Sequence, residues 1–180
     1  MSRWFSPVLG YASSVALLLM LVSSMAAAQY KLTHLVSNQA GMAAHTDPLL
    51  VNAWGLVYGP GGPFWISDNG SGWSTLYTAS GVKEGLEVQV PTAGSDGPGS
   101  PTGIVFNGSK DFQVKDFQVK GWPSIFLFAT RDGTISGWAP QSNPNAAIVA
   151  VTMPGAVYTG LASTSKTSGN FLFAADNANH

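Results

Sequence analysis

The 180 residues carry only 9% charged side chains and a formal net charge of -1, which excludes the clustered Lys and Arg that a nucleic-acid surface needs. With 45% hydrophobic and 11% aromatic residues, the chain can bury a core and is not a disordered tail. The absence of cysteine excludes disulfides, thiolate metal sites and cysteine nucleophiles.

The chain opens on Arg3, followed by an apolar stretch over residues 8–22 and then Ser23-Ser24-Met25-Ala26-Ala27-Ala28. A basic start, an apolar middle and an Ala-x-Ala site are the three parts of a secretory signal peptide. The stretch is shorter than the roughly 20 apolar residues that span a bilayer. The expectation is a signal peptide over 1–28, cleavage after Ala28 and a mature chain over 29–180. That mature chain would have no membrane span and a secreted, periplasmic or cell-surface location.

Residues 31–37 (KLTHLVS) alternate and predict a strand that closes a ring from outside the first repeat. Short β-rich runs separated by turn residues follow. Residues 54–58, 64–67, 73–78 and 86–90 read as four strands, punctuated by Gly59–Pro63, Asp68-Asn69-Gly70, Ser80-Gly81 and Pro91. The order recurs at 102–106, 124–130, 134–138 and 147–152, with Arg131-Asp132-Gly133 and Pro154 in the corresponding places. A third copy starts at 158–162, continues at 170–175 and reaches Asp176-Asn177. Gly55, Gly103 and Gly160 mark the first strand of each copy.

A four-strand unit repeating every 40–50 residues or so has the period of a β-propeller blade. Such a blade needs neighbours on both faces. The fold class expected is therefore all-β: a β-propeller, represented by about two and a half blades (54–91, 102–154, 158–180) of a longer ring. Residues 111–115 and 116–120 are identical copies of DFQVK and read as a lengthened surface loop, which costs little closure entropy.

Candidate chemistry falls on few residues. Asp68, Asn69, Asp132, Asp176 and Asn177 recur after the second strands. Brought together by a ring, such oxygens would suit Ca²⁺; turn chemistry alone also accounts for Asp-Gly and Asn-Gly pairs. His45 with Asp47 in the loop before the first repeat is a candidate base or metal ligand and its orienting carboxylate. No Gly-x-Ser-x-Gly elbow, P-loop or dinucleotide fingerprint is present. Of the six tryptophans, Trp54, Trp65, Trp73 and Trp138 fall in strands and are expected to pack between blades. Trp122 falls in a loop and is expected at the surface.

Several segments, among them LVSNQAG (35–41), DPLLVNAWGL (47–56), FWISDNGSGWSTL (64–76), PTGIVFN (101–107) and FLFATRDGTISGW (126–138), resemble a family of secreted bacterial β-propeller-like proteins. Some members of that family bear PEP-type C-terminal sorting anchors. A more distant likeness is to six-bladed propellers of the NHL and gluconolactonase type. The family's members are longer, so the resemblance implies that the chain is an N-terminal portion, with six blades in the full protein. The function expected is a binding or interaction scaffold for an extracellular protein or glycan. The alternatives are a Ca²⁺-dependent lactonase or ester hydrolase, and a fragment without function of its own.

Overall fold

The computed structural model describes residues 30–95, 97–114 and 121–179. The expected signal peptide and residues 115–120, which hold the second DFQVK copy, lie outside the described residues. The chain divides into two compact units, 1–33 and 34–180. In the first, residues 30–33 are exposed coil. Every strand of the described residues belongs to the second.

The fold is all-β, with no helix among the described residues. The second unit opens on β1 (Val36–Ser37), paired in parallel with β2 (His45–Thr46). The strand expected over 31–37 is thus confined to its last two residues, and Leu32 and Leu35 are exposed.

Four strands then run up and down: β3 (Ala53–Tyr58), β4 (Phe64–Asp68), β5 (Trp73–Tyr77) and β6 (Lys83–Gln89), in the order β3-β4-β5-β6. A second sheet repeats the plan with β7 (Pro101–Phe106), β10 (Phe126–Thr130), β11 (Thr134–Trp138) and β12 (Ile148–Thr152). Between its first two strands lies a short hairpin of β8 (Gln113–Val114) and β9 (Trp122–Pro123), where a plain loop was expected. A third unit is the hairpin of β13 (Tyr158–Lys166) and β14 (Gly169–Asp176). Both four-stranded sheets and the two later strand pairs are antiparallel, and the turns between strands supply the Gly, Asn and Asp that tight reversals favour.

Strand alternation decides what each face does, because cross-strand partners share a face. In the first sheet Val57 opposes Trp65, and Trp65 opposes Leu76. In the second, Ile104 opposes Phe128, and Phe106 and Trp138 both oppose Phe126. These two faces meet as the main core, built from Trp65, Leu76, Val88, Ile104, Phe126, Phe128 and Trp138. The Trp65 and Phe126 rings stack with centroids 4.1 Å apart and planes 25° apart, an arrangement that adds about 1 kcal/mol to the area they bury. The second sheet's other face carries Val105, Leu127 and Ala129, all buried.

The first strands of the three units pack on one another, β3 on β7 and β7 on β13. Glycine makes that approach possible. A Cβ on Gly55 would lie 2.4 Å from the Thr102 carbonyl oxygen, and one on Gly103 would lie 2.3 Å from the Leu161 amide nitrogen. At the outer rim the first and second sheets are tied by backbone hydrogen bonds from the Gln89 amide to the Asn145 carbonyl (2.9 Å) and from the Ala147 amide to the Gln89 carbonyl (2.8 Å).

Candidate functional site

The sequence candidates do not form one site. His45 is exposed on β2, and its amide hydrogen-bonds the Leu35 carbonyl (2.9 Å). Asp47, two residues on, is buried and turned to the first sheet. Its Oδ2 accepts from the Tyr77 hydroxyl (2.6 Å) and pairs with Lys83 Nζ (2.9 Å); its Oδ1 accepts from the Leu49 amide (2.9 Å). Lys83 also pairs with Glu87 (2.6 Å). Asp47 therefore does not serve as the orienting group of a His45 base. It pins the segment before β3 onto the outer face of β5 and β6, the face away from the second sheet.

Burial pushes the Asp47 carboxyl up, but the Tyr77 hydroxyl, Lys83 and the Leu49 amide outweigh it and hold the group below the usual carboxylate range. Burial and the Asp47 carboxylate push the Tyr77 hydroxyl up, so it remains a donor. Tyr77→Phe is expected to lower stability by about 2 kcal/mol, since it removes a buried bond to a charged acceptor. The check is the urea midpoint near neutral pH, and an unchanged midpoint would contradict this role for Asp47.

The recurring acids and amides also separate. Asp68 is not a turn residue: it is the last residue of β4, opposite Ala53 and Trp73, and fully buried. Its Oδ2 accepts from the Thr75 amide (3.1 Å) and hydroxyl (2.7 Å), while its Oδ1 has no hydrogen-bond partner among the described residues. Burial pushes its carboxyl up to about 7 against the pull of the Thr75 bonds, and the nearby Asp47 charge adds to the rise. Asn69 links sheets, donating to the Pro101 carbonyl (3.1 Å) and accepting from Asn52 (3.1 Å).

Asp132 sits in the turn after β10. It accepts from the Thr92 hydroxyl, the Ala93 amide (3.2 Å) and the Ser100 amide (3.4 Å), and so holds the loop between the first two sheets. Burial raises its carboxyl, but the Thr92 and Thr130 hydroxyls bring it below the ordinary value. Asp176 ends β14 and accepts from Asn179 (2.8 Å) and from the Val157 and Ala178 amides (3.0 Å each), which bring its carboxyl down to about 2. Asn177 is exposed, its amide bonded to the Val157 carbonyl (2.9 Å).

Register explains the scatter. Asp68, Thr130 and Asp176 are the structural equivalents, lying opposite Ala53, Pro101 and Tyr158, each two residues before a first-strand glycine. Asp132 lies two residues beyond that position. Among the described residues no three His, Asp or Glu side chains are grouped as a metal would need.

A surface cavity of about 280 Å³ opens between the second sheet and the third unit, where Phe106, Phe112, Ser163, Thr164 and Asn170 meet. Its lining is neutral and holds none of the candidate acids, amides or His45. Trp65 and Trp138 are buried as expected, whereas Trp54 is 45% exposed despite its place in a strand; Trp122 is 41% exposed. Tyr77, Lys83 and Thr75, the partners of the two buried acids, had no sequence signal. Their spacing from Asp47 and Asp68 follows from strand register, not from a motif.

Two curated proteins of Acanthamoeba polyphaga mimivirus, both described as uncharacterized, are similar to this chain. One is 31% identical over 115 residues, covering 64% of this chain and 28% of the viral protein. The other is 29% identical over 155 residues, covering 84% of this chain and 40% of the viral protein. The chain thus spans well under half the length of the curated relatives it matches. No family model matches it, and no solved structure matches it.

Proposed function

We propose that the chain is a stretch of β-propeller blades, exported and used as a neutral binding scaffold for an extracellular protein or glycan. The observation that carries this reading is the repeated packing of first strands. β3, β7 and β13 approach through Gly55 and Gly103, as the inner strands of successive blades would around a channel. Two complete up-and-down sheets, each with a face applied to its neighbour, support it further. Export rests on the sequence of residues 1–28. The likeness to a bacterial family rests on its quoted segments, and the curated relatives are viral.

The low charge and the two tryptophans exposed among the described residues, Trp54 and Trp122, favour flat neutral ligands, because an indole face stacks on them at little entropic cost. The test is expression with the leader, followed by titration with neutral glycans and extracellular proteins read by tryptophan fluorescence. The expected product is exported and begins at Gln29. It should give a saturable response that Trp122→Ala or Trp54→Ala removes. Retention of a chain beginning at Met1, or no saturable response across the panel, would overturn the reading.

A further inference from the structure

The cavity between the second sheet and the third unit arises from one difference between two repeated joints. Phe106 stands three residues after Gly103, and Ser163 stands three residues after Gly160. Each opposes a residue of the next strand, Phe126 for Phe106 and Leu172 for Ser163. In the first joint Phe106 meets the Phe126 ring edge-on, with centroids 5.7 Å apart, and a Cβ on Gly59 would lie 3.0 Å from the Phe106 ring. That phenyl closes the end of the first joint. In the second joint the same position carries only a hydroxymethyl group. Ser163 lies two residues beyond Leu161, which packs on Gly103, so strand alternation turns it to the second sheet as well. Ser165 and its cross-strand partner Asn170 share that face. Polar side chains thus occupy the place of the aromatic, and the cavity of about 280 Å³ opens among them.

The loop after β7 supplies the facing wall, and it holds Phe112 in a conformation that a bulky residue rarely adopts. Phe112 has φ 54°, in the left-handed region where Cβ crowds the backbone. The surrounding bonds impose that geometry. The Ser124 amide (3.0 Å) and hydroxyl (2.6 Å) both donate to the Phe112 carbonyl. Asn107 donates to the Asp111 (2.9 Å) and Ser124 (2.8 Å) carbonyls and accepts from the Ser109 amide (3.0 Å) and hydroxyl (2.7 Å). The Asp111 carboxylate accepts from Asn170 Nδ2 (2.7 Å), which ties the loop to the hairpin. Backbone strain held in this way concentrates at ligand sites, and Phe112 here is part of the cavity wall.

The lining selects the chemistry of an occupant. Among the described residues it holds no Lys, Arg, His, Asp or Glu, so neither an anion nor a cation meets a counter-charge. Asn107 and the Nδ2 of Asn170 are engaged in holding the loop, which leaves the Ser163 and Ser165 hydroxyls and the Asn170 side-chain carbonyl for a ligand. Hydroxyls both donate and accept, and a phenyl ring takes apolar C–H surface. A sugar ring presents hydroxyls at its edge and C–H groups on its face. The volume lies just under the roughly 300–1,000 Å³ of ordinary small-molecule sites, which limits the occupant to a single ring.

We infer that this cavity receives one neutral sugar residue, its ring against Phe112 and its hydroxyls on Ser163, Ser165 and Asn170. The site rests on the binding reading and gives its glycan a place apart from Trp54 and Trp122, neither of which lines the cavity.

The test is isothermal titration calorimetry of the full chain with the methyl glycosides of glucose, galactose, mannose and N-acetylglucosamine. Each is taken to about 50 mM, a range that resolves millimolar binding. At least one is expected to bind at a single site. Ser163→Phe restores in the second joint the aromatic that closes the first, and is expected to weaken that binding at least tenfold. Phe112→Gly removes the ring and is expected to weaken it as much. Its urea midpoint is expected to equal or exceed the parent's, because glycine adopts a left-handed backbone without strain. A Phe112 that only supports the loop would instead lower the midpoint and leave the affinity unchanged. Where the near-ultraviolet circular dichroism of Ser163→Phe departs from the parent's, a double variant, Ser163→Ala with Ser165→Ala, replaces it with the same expected loss.

Binding of none of these glycosides would overturn the inference, as would binding that survives in the folded cavity variants. The binding reading is separately decided. A protein or larger glycan whose response is lost in Trp122→Ala or Trp54→Ala would uphold that reading even where the cavity binds nothing. Glycoside binding lost in the cavity variants and kept in both tryptophan variants would uphold the cavity and remove the tryptophans from the sugar site.

Discussion

Gly103→Ala is expected to cost about 3 kcal/mol and Gly55→Ala nearly as much, while Gly160→Ala costs nothing or stabilises slightly. All three glycines stand at the same place in their strands, and none has a positive φ. Backbone conformation therefore does not require glycine, and space alone separates them. At Gly103 the new methyl would meet the Leu161 amide nitrogen at 2.3 Å and the Gly160 carbonyl carbon at 2.7 Å. At Gly55 it would meet the Thr102 carbonyl oxygen at 2.4 Å and Ile104 Cγ2 at 2.9 Å. These obstacles are largely backbone, which no rotamer change can clear, so the inner strands must part. Overpacking of this kind costs about 1–3 kcal/mol, and more when backbone has to shift. Parting β3 from β7 also loosens Trp65 from Phe126 across the core. At Gly160 the nearest atom is the Ala175 methyl at 3.8 Å, an ordinary contact, and alanine loses less backbone entropy on folding than glycine. Urea unfolding of the three variants is the measurement. Equal costs at all three positions would show that the glycines serve a local need of the strand. In that case the repeated approach of first strands would not be what holds the sheets together.

Those glycines are legible in the sequence alone, as are most strand limits. The β-rich runs at 64–67 and 134–138 lie in β4 and β11 to within a residue. Local composition suffices because each strand is short, bounded by turn residues and apolar on at least one face. In the third repeat the letters mislead by one residue. FLFA at 171–174 matches FLFA at 126–129 letter for letter, yet Ala174, not Phe173, takes the place of Phe128 opposite the first strand. A one-residue slip exchanges the faces of a strand, so Phe171 and Phe173 reach solvent where identity places them in a core.

The same limit scatters the candidate site. Asp68 and Asp132 look alike beside their turns, but one closes a strand in the interior and the other ties a loop. The difference depends on pairing with Ala53 and on the position of Thr92, 40 residues away from Asp132. Asp47 beside Pro48 has the signature of a turn, and nothing near it announces Tyr77 or Lys83.

Stability is expected to fall as pH rises from 5 to 8, and Asp68→Asn is expected to abolish that fall. The sign follows from the direction of the Asp68 shift. Its carboxyl has an ordinary value of 3.8 and is raised to about 7 in the fold. Between those values the folded chain keeps a proton that the unfolded chain has released, so stability declines with pH. Below the lower value both states are protonated, and above the upper value neither is. Each pH unit within the window is worth about 1.4 kcal/mol, so the decline from pH 5 to 7 amounts to roughly 3 kcal/mol. Asp47, Asp132 and Asp176 act in the opposite sense, since their carboxyls lie below the ordinary value. The stability they contribute is lost as pH falls through the acid range and is already complete by pH 5, so they do not offset the decline that Asp68 causes above it. The physical cause is a fully buried carboxylate whose Oδ1 has no partner among the described residues while Oδ2 takes both Thr75 donors; ionisation places a charge there without enough donors to hold it. An asparagine at this position would keep an acceptor for Thr75 and remove the charge. Asp68→Asn is therefore expected to be more stable than the parent at pH 8 by about 2 kcal/mol, the gain being reduced by an unpaired amide, and similar to it at pH 5. Asp68→Ala removes the Thr75 acceptor as well and should be destabilised at both. Urea midpoints at pH 5 and pH 8 for the three chains decide the matter. A parent whose stability rises across that window, or an Asp68→Asn chain that tracks it, would mean that Asp68 is ionised in the fold and that its Oδ1 has found a donor.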